Sequence, residues 1–221
     1  MPHECECKIC QASMPNNLQY ASNLDALAYL SKPEGSNHKR DTDTHVFFYE
    51  QEFYVLSNFS AFQVQWQSIE HSNHSTMWHQ TAEHLYHYLK FRYSDGQDSE
   101  QIGKIIGVKH RIFNAKSAHD AFRIAQENKH MRRPDWDAIK VRTMKSIITA
   151  KACQHEYVYR KLMQTGTRIL VEDSYRDDFW GWGENKNGRN VLGNLWMEVR
   201  DDFNQGKIKP NQTVFGKGFY D

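Results

Sequence analysis

Apolar positions recur along this chain at two different periods, and the change of period marks the predicted elements. From Thr81 to Phe91, Leu85, Tyr88, Leu89 and Arg92 follow the three-to-four-residue spacing of a buried helical stripe, while Glu83, His87 and Lys90 fall on a second face. Further helices are predicted downstream. Ser99 to Gly107 carries Ile102, Ile105 and Ile106 and ends at its glycine; Ser117 to His130 carries Ala118, Ala121, Phe122 and Ala125. Asp135 to Ala150 follows Arg133-Pro134, a proline well placed at a helix start, and presents Ile139, Met144, Ile147 and Ile148. Glu156 to Thr165 and Asn194 to Phe203 complete the set. Upstream the apolar residues alternate or cluster, which predicts short strands at Val46–Tyr49, Phe53–Leu56, Phe62–Trp66 and Ser75–His79, with one more at Arg168–Glu172. The expected fold class is α+β and helix-rich, a single compact domain with a few short strands over residues 45–203. Residues 1–44 read as an N-terminal appendage and linker containing a short helix from Ser22 to Leu30, and residues 204–221 as a polar tail.

Composition narrows the functional classes. The 221 residues carry 28 Lys and Arg against 27 Asp and Glu, so no global basic field exists to hold nucleic acid, and any such contact must be local. Aromatic residues reach 13%, a generous supply of flat faces for core or for stacking on a base. No apolar run approaches the roughly 18 residues of a membrane span. The N-terminus lacks the order of a signal peptide, so an intracellular location, cytoplasmic or nuclear, and no membrane partner are expected. Three of the 4 cysteines crowd at Cys5, Cys7 and Cys10 with His3 nearby; a structural zinc site wants a second, distant pair, which is missing.

Three clusters carry candidate chemistry. On the Thr81–Phe91 helix, Glu83 and Lys90 line up roughly 10 Å apart along the axis with His87 between them. A carboxylate, an imidazole and an amine on one rigid face suit acid, base and nucleophile, although the same spacing describes a solvated charged face. The second cluster runs from Asp177 through Trp180, Gly181, Trp182 and Gly183 to Gly188, Asn190 and Gly193. Glycines just ahead of a helix can offer N–H groups to a phosphate, with the tryptophans as stacking faces; a turn-rich loop packing its own aromatics fits equally. In the third, Arg133 can fork onto a phosphate and Asp135 can hold ribose hydroxyls beside Trp136, or the segment is a charged helix start.

Taken in order, Phe53-Tyr54, Ser57-Asn58-Phe59, Thr81-Ala82-Glu83-His84, Lys90-Phe91, Arg133, Asp135-Trp136-Asp137, Lys140, Met144, Leu170-Val171-Glu172, Asp177, Trp180-Gly181, Gly183, Gly188, Asn190-Val191-Leu192-Gly193, Met197 and Val199-Arg200 resemble the NADAR (YbiA-like) family over about residues 47 to 203. The resemblance implies a compact, mainly helical fold and N-glycosidase chemistry on ribosylated bases. It places the acid/base carboxylate at Glu83 and an essential lysine at Lys90, which would capture the sugar as a Schiff base. Tyr54, Asn58, Phe59, Arg133, Asp135, Trp136, Asp177, Trp180, Gly181, Gly183, Asn190 and Gly193 would bind substrate. Two substrates are implied: ADP-ribose on guanine in DNA, RNA or nucleotide, or a ribosylamino-pyrimidine phosphate of riboflavin synthesis. A non-catalytic module binding ADP-ribose or NAD is the reading from another class. No cofactor and no metal are expected. His87 departs from the pattern, its position often being Gln, and Trp182 stands where a small aliphatic residue is common.

Overall fold

The computed structural model describes residues 41–49, 51–67, 76–93 and 96–211; the cysteine cluster and the Ser22–Leu30 helix lie outside them. The described chain is α+β and helix-rich. Its strands are β1 (His45–Phe47), β2 (Val64–Gln67), β3 (Thr76–His79) and β4 (Ile169–Val171). Its helices are α1 (Ala82–Leu89), α2 (Ser99–Phe113), α3 (Ala118–Glu127), α4 (Trp136–Gln154), α5 (Glu156–Gln164) and α6 (Val191–Asn204). The described residues form two compact units, 41–57 with 160–207 and 58–159 with 208–211.

In the first unit β1 and β4 pair in parallel, with Val46 opposite Leu170 and Phe47 opposite Val171. Phe47, Val171 and Trp182 pack together in its core, the Phe47 and Trp182 rings 5.1 Å apart. On α6, Trp196 donates its indole N–H to the Leu56 carbonyl at 2.8 Å, and Arg200 donates to the Thr165 hydroxyl at 2.7 Å and the Arg168 carbonyl at 2.9 Å. The strand expected at Phe53–Leu56 is instead part of a 3-10 helix, Gln51–Leu56. Aromatic and β-branched residues favour a pleated surface only where a partner strand is available, and here the segment turns instead.

In the second unit β2 and β3 form an antiparallel pair, with Val64 opposite His79 and Trp66 opposite Met77. The Gln154 amide at the end of α4 both donates to and accepts from the Gln65 backbone, at 2.9 and 2.8 Å, and so ties α4 to β2. Phe91, Ile105, Val108, Ile112, Ala115, Ala121, Ile124 and Ala125 form an apolar core shared by α2 and α3. Asp98 caps α2 through the Gln101 N–H, and Ser117 caps α3 through the Asp120 N–H. The expected stop at Gly107 does not occur: α2 runs on to Phe113, because a Cβ-free residue on an exposed face costs a helix only about 1 kcal/mol, which the flanking Ile105, Val108 and Ile112 offset by burial.

Candidate active site

The site is built on α1. Thr81 caps it by accepting from the His84 N–H at 3.2 Å, and the Glu83 N–H donates to the Asn58 carbonyl at 3.1 Å, so the loop after Ser57 closes the helix start. The second imidazole on α1 fixes the helix laterally. His84 Nε2 lies 3.2 Å from the Ala115 carbonyl, which only accepts, so Nε2 carries the proton and Nδ1 accepts from the Thr81 hydroxyl at 2.9 Å.

The charged face expected on α1 is not solvated. Seven of its eight residues are buried, Glu83 at 8% and His87 at 2% exposure among them. Arg92, placed on the buried stripe by spacing, is exposed instead, because α1 ends at Leu89 and the turn at Lys90 breaks the period. His87 Nε2 donates to Glu83 Oε1 at 2.7 Å, one helical turn away. Burial alone raises a carboxyl and lowers an imidazole. Here desolvation, which raises Glu83, is more than offset by the hydrogen bond from His87, by the His87 charge when the imidazole is protonated, and by the Lys90 ammonium, which together hold the carboxyl below the usual carboxylate range. Desolvation dominates at His87 and pushes it down, so the pair rests as carboxylate and neutral imidazole. That tautomer leaves His87 Nδ1 as a buried acceptor with no partner among the described residues.

Lys90 caps the C-terminus of α1. Its ammonium sits 4.7 Å from the Tyr86 ring centroid and 6.0 Å from that of Trp136. Desolvation lowers its pKa from the ordinary lysine value to about 8, Glu83 opposes that shift, and Arg132 and Lys140 reinforce it. Glu83 and Lys90 therefore act on each other electrostatically, each favouring the charged form of the other.

The cationic neighbours that depress Lys90 are Arg132 and Lys140, not the adjacent Arg133. Arg133 turns its Nε and one Nη onto Asp135 at 2.6 and 2.7 Å, a bidentate pair that engages the fork proposed for phosphate and the carboxylate proposed for ribose. The Arg133 N–H still donates to the Lys90 carbonyl at 2.9 Å, and so holds the α1 end to the start of α4. Asp137 bridges Arg132 at 2.6 Å and Lys140 at 3.1 Å. Trp136 is buried against Tyr86, ring centroids 5.0 Å apart. Asn58 donates its side-chain amide N–H to the Met144 sulfur at 3.4 Å, and its side-chain Oδ1 is buried with no partner among the described residues; the adjacent Phe59 is 41% exposed. Spacing reasoning passed over Tyr86, although its four-residue step to Lys90 is a helical neighbour relation. It also set Phe122 on the core stripe of α3, whereas that ring is 38% exposed and meets His87 edge-on at 5.6 Å.

The other candidates belong to the first unit. Tyr54 is exposed on the 3-10 turn. The Asp177 carboxylate accepts from the Phe179 and Trp180 N–H groups at 2.9 and 2.8 Å, and Trp180 is half-buried with Phe179 edge-on to it. Asn190 adopts φ 47 and bonds both sides of its amide to the strand end, accepting from Glu172 at 2.9 Å and donating to Leu170 at 2.8 Å. Gly193 lies so close to β4 that a Cβ there would meet the Leu170 carbonyl at 2.1 Å, and one on Gly181 would meet the Glu172 carbonyl at 2.8 Å. Gly183 sits at φ +69. The loop amides expected to face a phosphate are engaged internally: those of Trp182, Gly183, Gly188, Arg189, Asn190, Val191 and Leu192 all donate to carbonyls within the unit. Trp182 is buried, its indole N–H on Asp173 at 2.8 Å. The glycines here allow close packing of loop and helix on β4.

Among the described residues no cluster of His, Cys, Asp and Glu could hold a metal ion, and no helix is long and apolar enough to cross a membrane.

Comparison with known proteins matches the sequence to a family. The NADAR domain model matches residues 47–204 and so runs across both units. The N-glycosidase Npun_R5314 of Nostoc punctiforme is 31% identical over 159 residues, 71% of this chain and 91% of that protein. A riboflavin biosynthesis protein of Vibrio vulnificus, VVA0006, is 34% identical over 100 residues, 45% of this chain; the match spans only 27% of that protein's length. The NMR structure of YbiA from E. coli covers 80% of this chain and 95% of its own, with a TM-score of 0.59 at 25% identity. The chain belongs to the NADAR domain family.

Proposed function

We propose that this protein is an N-glycosidase that cleaves the bond between a ribose C1′ and a base, with ADP-ribose attached to guanine as its substrate. The observation that carries the reading is the buried Glu83–His87 pair in the field of a lysine brought down to about 8. Such a lysine reaches its neutral, nucleophilic form at little cost near neutral pH. The names of the Nostoc protein and of YbiA, both N-glycosidases, support the reaction class.

The resting site holds an ammonium on Lys90 and a carboxylate on Glu83. Transfer of one proton from Nζ to Glu83 gives an amine and a carboxylic acid together. The amine attacks C1′ as the C1′–N bond to the base breaks, and Glu83 delivers its proton to the leaving nitrogen. Nζ, now bonded to C1′, returns a proton to Glu83, and that proton goes to the ring oxygen as the C1′–O4′ bond opens and the imine C1′=Nζ forms. Water adds to C1′ of the protonated imine with its proton taken by Glu83; Glu83 then gives that proton to Nζ, the C1′–Nζ bond breaks as the new C1′ hydroxyl becomes the aldehyde and passes its proton to the departing amine, and the O4′ hydroxyl adds to the aldehyde to reclose the sugar, leaving the resting ammonium and carboxylate. His87 holds the Glu83 carboxylate in place through each exchange, and Arg132 and Lys140 face the phosphates.

A second reading is favoured by the names of the Vibrio protein and of the maize riboflavin biosynthesis protein PYRR: cleavage of a ribosylamino-pyrimidine phosphate by the same chemistry. The two are separated by parallel incubations with a guanine-ADP-ribosylated oligonucleotide and with the pyrimidine phosphate, followed by mass spectrometry. Release of ADP-ribose at the faster rate supports the first; preferential release of ribose phosphate supports the second. Binding of ADP-ribose without turnover of either would make the chain a binding module.

A further inference from the structure

We propose that Tyr86, with Trp136 beside it, is a positioning residue for Lys90: the two rings form an aromatic seat that holds positive charge at Nζ, first as the resting ammonium and then as the protonated imine. The proposal rests on the glycosidase reading above and names what holds its nucleophile.

The geometry lies within the second unit. Lys90 Nζ stands 4.7 Å from the Tyr86 ring centroid and 6.0 Å from that of Trp136, within or at the limit of the range over which a ring face attracts a cation. The seat is rigid before any substrate arrives. Tyr86 is 5% exposed and Trp136 1%, and their rings pack 5.0 Å apart at 60° to each other. Tyr86 lies one turn before Lys90 on α1, and a helical side chain reaches back over the turn that precedes it, which carries Lys90 onto the Tyr86 face. Trp136 opens α4, whose approach is held by the Arg133 N–H on the Lys90 carbonyl at 2.9 Å.

No ion pair does this work. Glu83 and Asp137 favour the charge on Lys90, while desolvation, Arg132 and Lys140 oppose it. Both carboxylates are already engaged: Glu83 accepts from His87 at 2.7 Å, and Asp137 from Arg132 at 2.6 Å and Lys140 at 3.1 Å. Lys90 makes no salt bridge among the described residues, so the ring faces hold its ammonium in place. The distinction matters for the chemistry. A carboxylate in contact would fix the proton on Nζ. A ring carries no net charge and takes no proton, so the amine forms when Glu83 accepts the proton, and the same face attracts the charge again once C1′=Nζ is protonated. Tyr86 also meets the edge of the His87 ring at 5.5 Å, so one ring borders both the amine and the partner of the acid.

The experiment is a series at position 86 in the full chain: Tyr86→Phe, Tyr86→Leu, and pentafluorophenylalanine installed there, a ring of nearly the same size as Phe with the charge of its face reversed. The titration of Lys90 is read from pH-dependent acetic anhydride labelling of its peptide. Turnover is read with ADP-ribosylated guanosine monophosphate. Tyr86→Phe should keep the wild-type titration and kcat. The Leu and fluorinated variants should titrate lower by roughly half to one pH unit, with kcat down about five- to tenfold and KM within about twofold. The two rings fill similar space, so their comparison decides the matter even where Leu disturbs packing. Equal titration of the Phe and fluorinated variants, or the same loss in Phe as in Leu, would overturn the seat. If no protein cleaves the nucleotide while Lys90 titrates along the series as stated, the glycosidase reading fails and the seat for the ammonium stands.

Discussion

His87 Nε2 and Glu83 Oε1 are 2.7 Å apart within one turn of α1, both side chains buried. The bond makes a buried carboxylate tolerable and leaves it able to trade a proton. Glu83→Gln should therefore lower turnover by about 10²- to 10⁴-fold with the fold retained. His87→Gln, which keeps a donor toward Glu83, should lose only about tenfold. His87→Leu, which strands the carboxylate, should cost about 2 to 4 kcal/mol of stability. Steady-state kinetics and urea unfolding of the three variants check this.

In the proposed mechanism the proton exchanged between Glu83 and Lys90 sets a pH profile. The reactive pair holds one proton, present as long as Lys90 is below its pKa of about 8 and Glu83 is above its own, depressed value. kcat/KM should be flat through neutral pH and fall above about 8. Arg132→Ala or Lys140→Ala removes a cation that holds Lys90 down, so the alkaline limb should move to higher pH in each. A rate that rises through pH 8 would mean that the leaving base needs no proton from the pair.

Lys90 should also weaken the fold it serves. Its pKa is lower in the folded chain than the ordinary lysine value, so the protonated form favours unfolding at neutral pH, and that cost disappears as pH rises toward the unfolded value. Lys90→Met should raise stability at pH 7 by about 1 to 3 kcal/mol while abolishing turnover, measurable by thermal unfolding.

His79 gives the fold an acid limit. It is 1% exposed, with edge contacts to Tyr88 and Phe113, and desolvation, assisted by His84 and Lys109, lowers its pKa from 6.5 to about 3. The unfolded chain takes a proton there below pH 6.5 and the folded chain does not until about 3, so stability falls as pH falls through that window. His79→Phe should flatten the slope of unfolding free energy between those limits by about 1.4 kcal/mol per pH unit.

In the first unit the close approach of α6 to β4 depends on a missing side chain. Gly193→Ala would press a methyl into the Leu170 carbonyl and the Asn190 amide, and should cost about 3 kcal/mol or more. Circular dichroism melts of this variant against Gly107→Ala, where a Cβ meets nothing within 4 Å and a helix gains propensity, should move in opposite directions.

The helices were legible because their periods are long and their caps explicit: Thr81, Asp98 and Ser117 each stand one residue before a helix and accept its N–H groups. The turn at Gln51–Leu56 was not, because Phe-Tyr-Val-Leu carries strand propensity whatever its partners. On α1, spacing set Glu83 and His87 on one face but left open whether water or protein covered it; that depended on α3 packing Phe122 against His87, a contact no local pattern encodes. The identity of the cations near Lys90 was likewise hidden, since Arg132 and Arg133 are adjacent in sequence and diverge only in which aspartate each meets. The glycine loop announced close backbone approach correctly but not to what, and here it approaches β4.

The most direct measurement is borohydride reduction during turnover, followed by proteolysis and peptide mass spectrometry. The account predicts a substrate-dependent ribosyl adduct on the peptide carrying Lys90, absent from Lys90→Ala, with Lys90→Ala inactive. Full activity of Lys90→Ala, or an adduct on another residue, would contradict it.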